Sequence, residues 1–157
     1  MSTTSTVPAV IDAYLSAVNT KMTADGLTDV IAYETWPGPE SAREMVVLGD
    51  INWTEAEFPV LTNAGRTQRD ELYTIDFSIW VIGGSGDAPS DPSESRDRAF
   101  EIMESLENVL ATDPTAGTNY QTVSWAKHNA ETAAAAQFEW GWAYVITGNI
   151  AVKARLR

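Results

Sequence analysis

Cysteine is absent from the 157-residue chain, and histidine occurs once, at position 128. The first absence removes disulfides, thiol nucleophiles and cysteine-zinc sites, and suits a reducing compartment. The second leaves no histidine cluster from which to build a metal centre or a relay of bases. Cations are also scarce: ten Lys and Arg stand against 22 Asp and Glu, for a formal net charge of −12. Wrapping a nucleic-acid duplex or adhering to an anionic membrane depends on Lys and Arg electrostatics, so neither is expected. An acidic wall that DNA slides past without sticking is compatible with this charge, and so is plain solubility or a salt-rich habitat. No run approaches the roughly 20 apolar residues of a membrane span. Met1–Thr6 has neither the basic start nor the apolar run of a signal peptide.

The remaining sequence reads as one α+β domain over residues 1–157, a length that buries a self-sufficient core. Thr6-Val-Pro8 opens a helix whose Val10, Ile11, Tyr14, Leu15, Val18 and Met22 recur at three- and four-residue spacing until Asp25-Gly26. Val30-Ile-Ala-Tyr33 reads as a short strand closed by Trp36-Pro-Gly-Pro39, because proline cannot continue a ladder. Glu44–Leu48 reads as the next strand, and residues 49–68 as a loop or projecting hairpin. Arg69–Ile82 alternates cleanly, with Tyr73, Ile75, Phe77, Ile79 and Val81 on one face and Thr74, Asp76 and Ser78 on the other. Trp80 and Ile82 break the polar face, which implies that something covers its far end. Gly83–Pro89 is glycine-rich but lacks the Lys-Ser/Thr of a phosphate loop, so it reads as a connector.

Asp91-Pro-Ser-Glu94 has the form of a capping box with proline at the first helical position. It starts a second amphipathic helix, Asp91–Thr112, whose stripe is Ala99, Ile102, Met103, Leu106, Val109 and Leu110. Gln121–His128 reads as a strand, and Glu131–Gln137, with four consecutive alanines, as a tight turn or short helical piece. Trp140–Arg157 alternates with period two over its whole length. Two readings of it stay open: a hairpin turning at Gly148-Asn149, or one long strand that projects and offers a docking edge. Two helices on one face of a mixed or mostly antiparallel sheet is the expected architecture.

No catalytic or metal-binding constellation accompanies these elements. His128 reads as a structural or surface residue, the acidic residues lack calcium-loop spacing, and Asp76 with Glu71 is the one carboxylate pair to consider. No cofactor is expected, and an enzyme is not the favoured reading. Six tryptophans are many for this length, and large aromatics with charged rims favour protein interfaces. The candidate interface residues are Trp53, Phe58, Trp80, Trp140, Trp142, Lys153, Arg155 and Arg157.

Gly65-Arg66 and Arg69-Asp-Glu71 leading into a strand, Arg96-Asp-Arg-Ala-Phe100 in a helix ending Ala111-Thr-Asp-Pro114, and Gly141-x-Ala143 opening a strand that ends Ala154-Arg-Leu156 together resemble the tail terminator proteins of long-tailed phages, particularly those infecting actinobacteria. The resemblance runs from the first helix to the C-terminus and implies a hexameric ring that caps the tail tube, stops its growth and meets the head connector. It implies as partners further copies of the chain, the tube protein, a head completion protein, and genomic DNA passing through the lumen without specific binding. Residence would be in the virion at the tail–neck junction, after synthesis in the host cytoplasm. A head-closure or adaptor protein of the neck is the nearest alternative, and a small α+β ligand-binding domain or enzyme is a more distant one.

Overall fold

The computed structural model describes residues 5–54, 69–83, 92–118 and 123–156. The elements follow in the order α1 (Val7–Ala24), β1 (Val30–Tyr33), β2 (Glu44–Trp53), β3 (Arg69–Ile82), α2 (Pro92–Thr112), β4 (Val123–Phe138) and β5 (Gly141–Leu156). The five strands form one mixed sheet in the order β1-β2-β3-β5-β4. Only β1 and β2 run parallel, and the other neighbours are antiparallel. The fold is α+β.

Both helices pack on one face. The odd residues of β3 from Tyr73 to Val81 and the even residues Ile146, Ile150 and Val152 of β5 share the core with Val10, Tyr14 and Val18 of α1 and with Ile102, Leu106 and Leu110 of α2. Tyr14, Tyr73, Ile75, Ile79, Ile102, Leu106, Ile146 and Ile150 are among the side chains with under 2% exposure. Burial of each large apolar side chain contributes about 1.5–3 kcal/mol, so the stripes read in the sequence are the ones that hold the layers together.

Helix α1 starts differently from its sequence signature. Thr6 does not cap its own helix. Its backbone N–H and hydroxyl donate instead to the Glu71 carboxylate on β3, at 2.8 and 2.7 Å. A buried carboxylate therefore sits at the positive end of α1, satisfying a free helix N–H from across the core. At the other end of α2, Asp113 accepts the backbone N–H groups of Thr115 and Gly117, at 3.0 and 3.1 Å. Those bonds, led by one from the Thr115 hydroxyl, hold its carboxyl below the usual range.

Three expectations are corrected. Strand β2 continues through residues 49–53, across a bulge between Leu48 and Ile51 that sets Gly49 and Asp50 opposite Asp76. Residues Glu131–Gln137 are neither turn nor helix but part of the 16-residue strand β4, paired with β5 almost throughout. Alanine favours helix in isolation, yet the complete ladder supplied by β5 outweighs that preference. Finally, β5 neither turns at Gly148-Asn149 nor projects: it is a single strand paired with β3 from Ala143 to Leu156 and with β4 from Gly141 to Ala154. Gly148 lacks a side chain for a different reason. A Cβ there would lie 2.2 Å from the Asn129 carbonyl oxygen and 2.9 Å from the Phe77 ring, so the strands could not approach. Asp91, Phe58, Arg157 and most of the 49–68 segment fall outside the described residues.

Candidate functional site

Because β5 is interior, the long edge of the sheet is β4. It pairs with β5 alone, and no described strand lies beyond it, so among the described residues one row of its N–H and C=O groups has no ladder partner along its 16 residues. Thr132, Ala133, Ala134 and Ala135 are all exposed, and Thr132–Phe138 carries no charge. Charged residues and bulges normally blunt such an edge. Here Lys127, Glu131 and the two bulges all lie before Thr132, leaving Thr132–Phe138 uncharged and regularly paired. Beside it on the helix face, Phe100, Met103, Glu104, Glu107, Ala133 and Ile146 line a groove of about 350 Å³. Phe100 is 50% exposed and stands 6.3 Å, ring to ring, from Tyr144. The opposite edge, β1, has four residues, so the two edges are unlike.

The other face of the sheet carries a second feature. Met45 and Val47 are buried there, and the segment between β1 and β2 sets the Trp36 ring 4.5 Å from Trp80 and 6.3 Å from Trp140. Phe138 stacks on Trp140 at 4.9 Å with parallel planes and lies 5.3 Å from Trp80. The tight turn at Glu139-Trp140, closed by Gly141 at φ +142°, places these last two rings. Together the four aromatics line a cavity of about 600 Å³ whose charged lining residues are Glu34 and Asp50. The Trp80 indole N–H is satisfied by the Ser78 hydroxyl at 2.7 Å. The β2 bulge is what turns Gly49 and Asp50 into the cavity wall. Nearby on the same face, Asp76 is held above the usual carboxylate range, first by burial and then by Asp50 and Glu131.

The candidate interface residues divide accordingly. Trp80 and Trp140 meet in the aromatic cavity, while Trp53 is 57% exposed at the end of β2, away from it. Trp142 is buried within the subunit, packed over Gly83, and its indole N–H has no partner among the described residues. Lys153 and Arg155 share the outer face of β5, and Arg155 is engaged within the chain by Asp70 at 2.9 Å, which raises its guanidinium pKa. Trp36 and Phe138 complete the cavity but were not among the candidates. Their shared cue is proximity to turns, Trp36-Pro-Gly-Pro39 and Glu139-Trp140, which does not say that the turns converge.

The titratable groups weighed for catalysis are dispersed. Glu71 faces the helices and Asp76 faces away, so they form no pair. His128 faces the helices too, with Nε2 2.6 Å from the Tyr14 hydroxyl and its ring edge-on to Phe77 at 5.4 Å. Burial lowers its pKa to about 4 and raises that of Tyr14, so both are neutral structural groups near neutral pH. Among the described residues no group of three or more His, Asp or Glu is placed to hold a metal, and no described helix is long and apolar enough to cross a membrane. No family model matches the chain, and neither does any curated protein.

Proposed function

We propose that the chain is a structural subunit of a phage tail, a terminator that closes into a hexameric ring on the last ring of the tail tube, ends its growth and presents its far side to the head connector. The observation that carries this reading is the open, uncharged stretch Thr132–Phe138 of β4 beside the Phe100 groove. A long edge of this kind is stable in solution when another chain covers it, and a ring follows when β4 meets a different surface of the next copy, a heterologous contact. Heterologous contacts generate closed rings when the rotation closes. The resemblance to tail terminators supplies the number six and the partners: tube protein, head completion protein, and DNA in the lumen. The acidity of the chain suits a lumen that repels a passing phosphate backbone. On this reading the chain is no enzyme and resides at the tail–neck junction of the virion.

Light scattering across a concentration series, alone and with tube protein, tests the proposal. A hexamer, or a monomer that tube protein drives into rings, is expected. A monomer indifferent to tube protein overturns it, and capture of head-side proteins in preference to tube protein reassigns the chain to a neighbouring neck component.

A further inference from the structure

The aromatic cavity on the outer sheet face has an assembly of features that the ring proposal does not use. Four rings, Trp36, Trp80, Phe138 and Trp140, converge there from three separate parts of the chain. Exposed indoles are costly to keep in water, and Trp36 remains 41% exposed although it contacts two other rings. The Trp80 N–H already has its acceptor in Ser78, so the cavity does not ask for an acceptor at that point. Its charged lining residues among those described, Glu34 and Asp50, are both exposed carboxylates, and no described lining residue is a cation. Ring faces carry negative electrostatic potential, and carboxylates add full negative charge, so the aromatic and charged parts of the wall favour a positive guest. At about 600 Å³ the space is larger than one side chain and suits a short stretch of polypeptide.

We propose that this cavity is a docking site for an arginine- or lysine-bearing segment of a partner protein, the cation lying over the indole faces and paired with Glu34 and Asp50. Flat, weakly hydrated guanidinium stacks on indole better than ammonium does, which makes arginine the preferred guest. The site shares only Phe138 with β4 and its test does not require ring formation, so failure of one leaves the other standing.

The test uses the intact chain and the blocked tripeptide Ac-Ala-Arg-Ala-NH₂, against the same peptide with citrulline, which keeps the shape of arginine and removes its charge. Indole N–H signals are followed by two-dimensional NMR during titration, with Trp53 and Trp125 as internal controls because neither lines the cavity. Expected are saturable shifts of Trp36, Trp80 and Trp140 with the arginine peptide, and binding weaker by about tenfold with citrulline, in line with a cation–π contact plus carboxylate pairing. Glu34→Gln with Asp50→Asn, both exposed and close in shape to the residues replaced, should remove the carboxylate share and weaken the arginine peptide about threefold, leaving the cation–π share and the citrulline peptide unchanged. Equal binding of both peptides overturns the proposal in favour of an uncharged apolar guest. Absence of saturable shifts overturns it outright. Shifts spread equally over Trp53 and Trp125 also overturn it, since they would report only general attraction of a cation to an acidic protein.

Discussion

The single histidine makes one pH effect separable from all others. His128 packs against Tyr14 and Phe77, and desolvation of its ring lowers its pKa from 6.5 to about 4. In the unfolded chain the imidazole takes up a proton near pH 6.5, whereas in the fold it stays neutral until about pH 4. Between those values the unfolded state binds more protons, so stability is fully present above pH 6.5 and falls as the pH falls towards 4. At about 1.36 kcal/mol per pH unit, going from pH 7.5 to 5.0 removes about 2 kcal/mol. Because the residue as a whole is half-buried, that figure is an upper value. For a domain of this size it corresponds to about 4–8 °C in melting temperature. Urea unfolding followed by tryptophan fluorescence at the two pH values measures it, at two protein concentrations so that any assembly is separated from folding. His128→Phe keeps a ring beside Tyr14 and Phe77 but leaves the Tyr14 hydroxyl without a partner, costing about 1–3 kcal/mol at pH 7.5. The variant should also lose the pH slope, so the gap to wild type narrows at pH 5.0. Asp25 and Asp113, whose pKa values are lowered, lose their contributions only below the usual carboxylate range. Asp76, raised, acts with opposite sign and equally in both proteins. A slope of equal size in wild type and His128→Phe would refute the assignment of a buried neutral imidazole.

Other expectations follow from single contacts. Glu71→Ala strips the start of α1 of two hydrogen bonds to a buried charge and should cost about 3 kcal/mol in chemical denaturation, with faster amide exchange in the first turn of that helix. Gly148→Ala forces a methyl group into the Asn129 carbonyl and should destabilise by about 1–3 kcal/mol or more, whereas a turn at that position would have tolerated substitution by asparagine. Ala134→Lys with Ala135→Lys places two cations on the exposed edge; the melting temperature of the monomer should hardly change, while ring formation measured by light scattering should be lost. Retention of rings in that double variant would mean that β4 is not the contact.

Much of the architecture is legible in the chain because burial on one side of an element imprints a period. The alternation of Tyr73, Ile75, Phe77, Ile79 and Val81 marks β3, and the stripe from Ala99 to Leu110 marks α2, each at the place the structure has it. The 18-residue alternation ending at Arg157 likewise marks β5. Periodicity is a local property, so it carries no information about neighbours. That β5 lies between β3 and β4, and so is a core strand instead of a docking edge, depends on pairings between residues up to 87 positions apart, as between Arg69 and Leu156. The same holds for the alanine run: helical by propensity, it is extended because β5 offers it a ladder.

The candidate site was less legible than the fold. Composition and period by themselves determined an acidic α+β chain, its helices and long strands, and an excess of tryptophan, since these rest on side-chain identity and spacing along one element. Only the tertiary structure decided which edge is open, that Glu71 caps α1 from across the core, that Trp142 turns inward over Gly83, and that Trp36, Trp80, Phe138 and Trp140 meet around one acidic cavity. Each of these is a contact between segments distant in sequence, and its geometry is set by strand order and register, which no single segment contains.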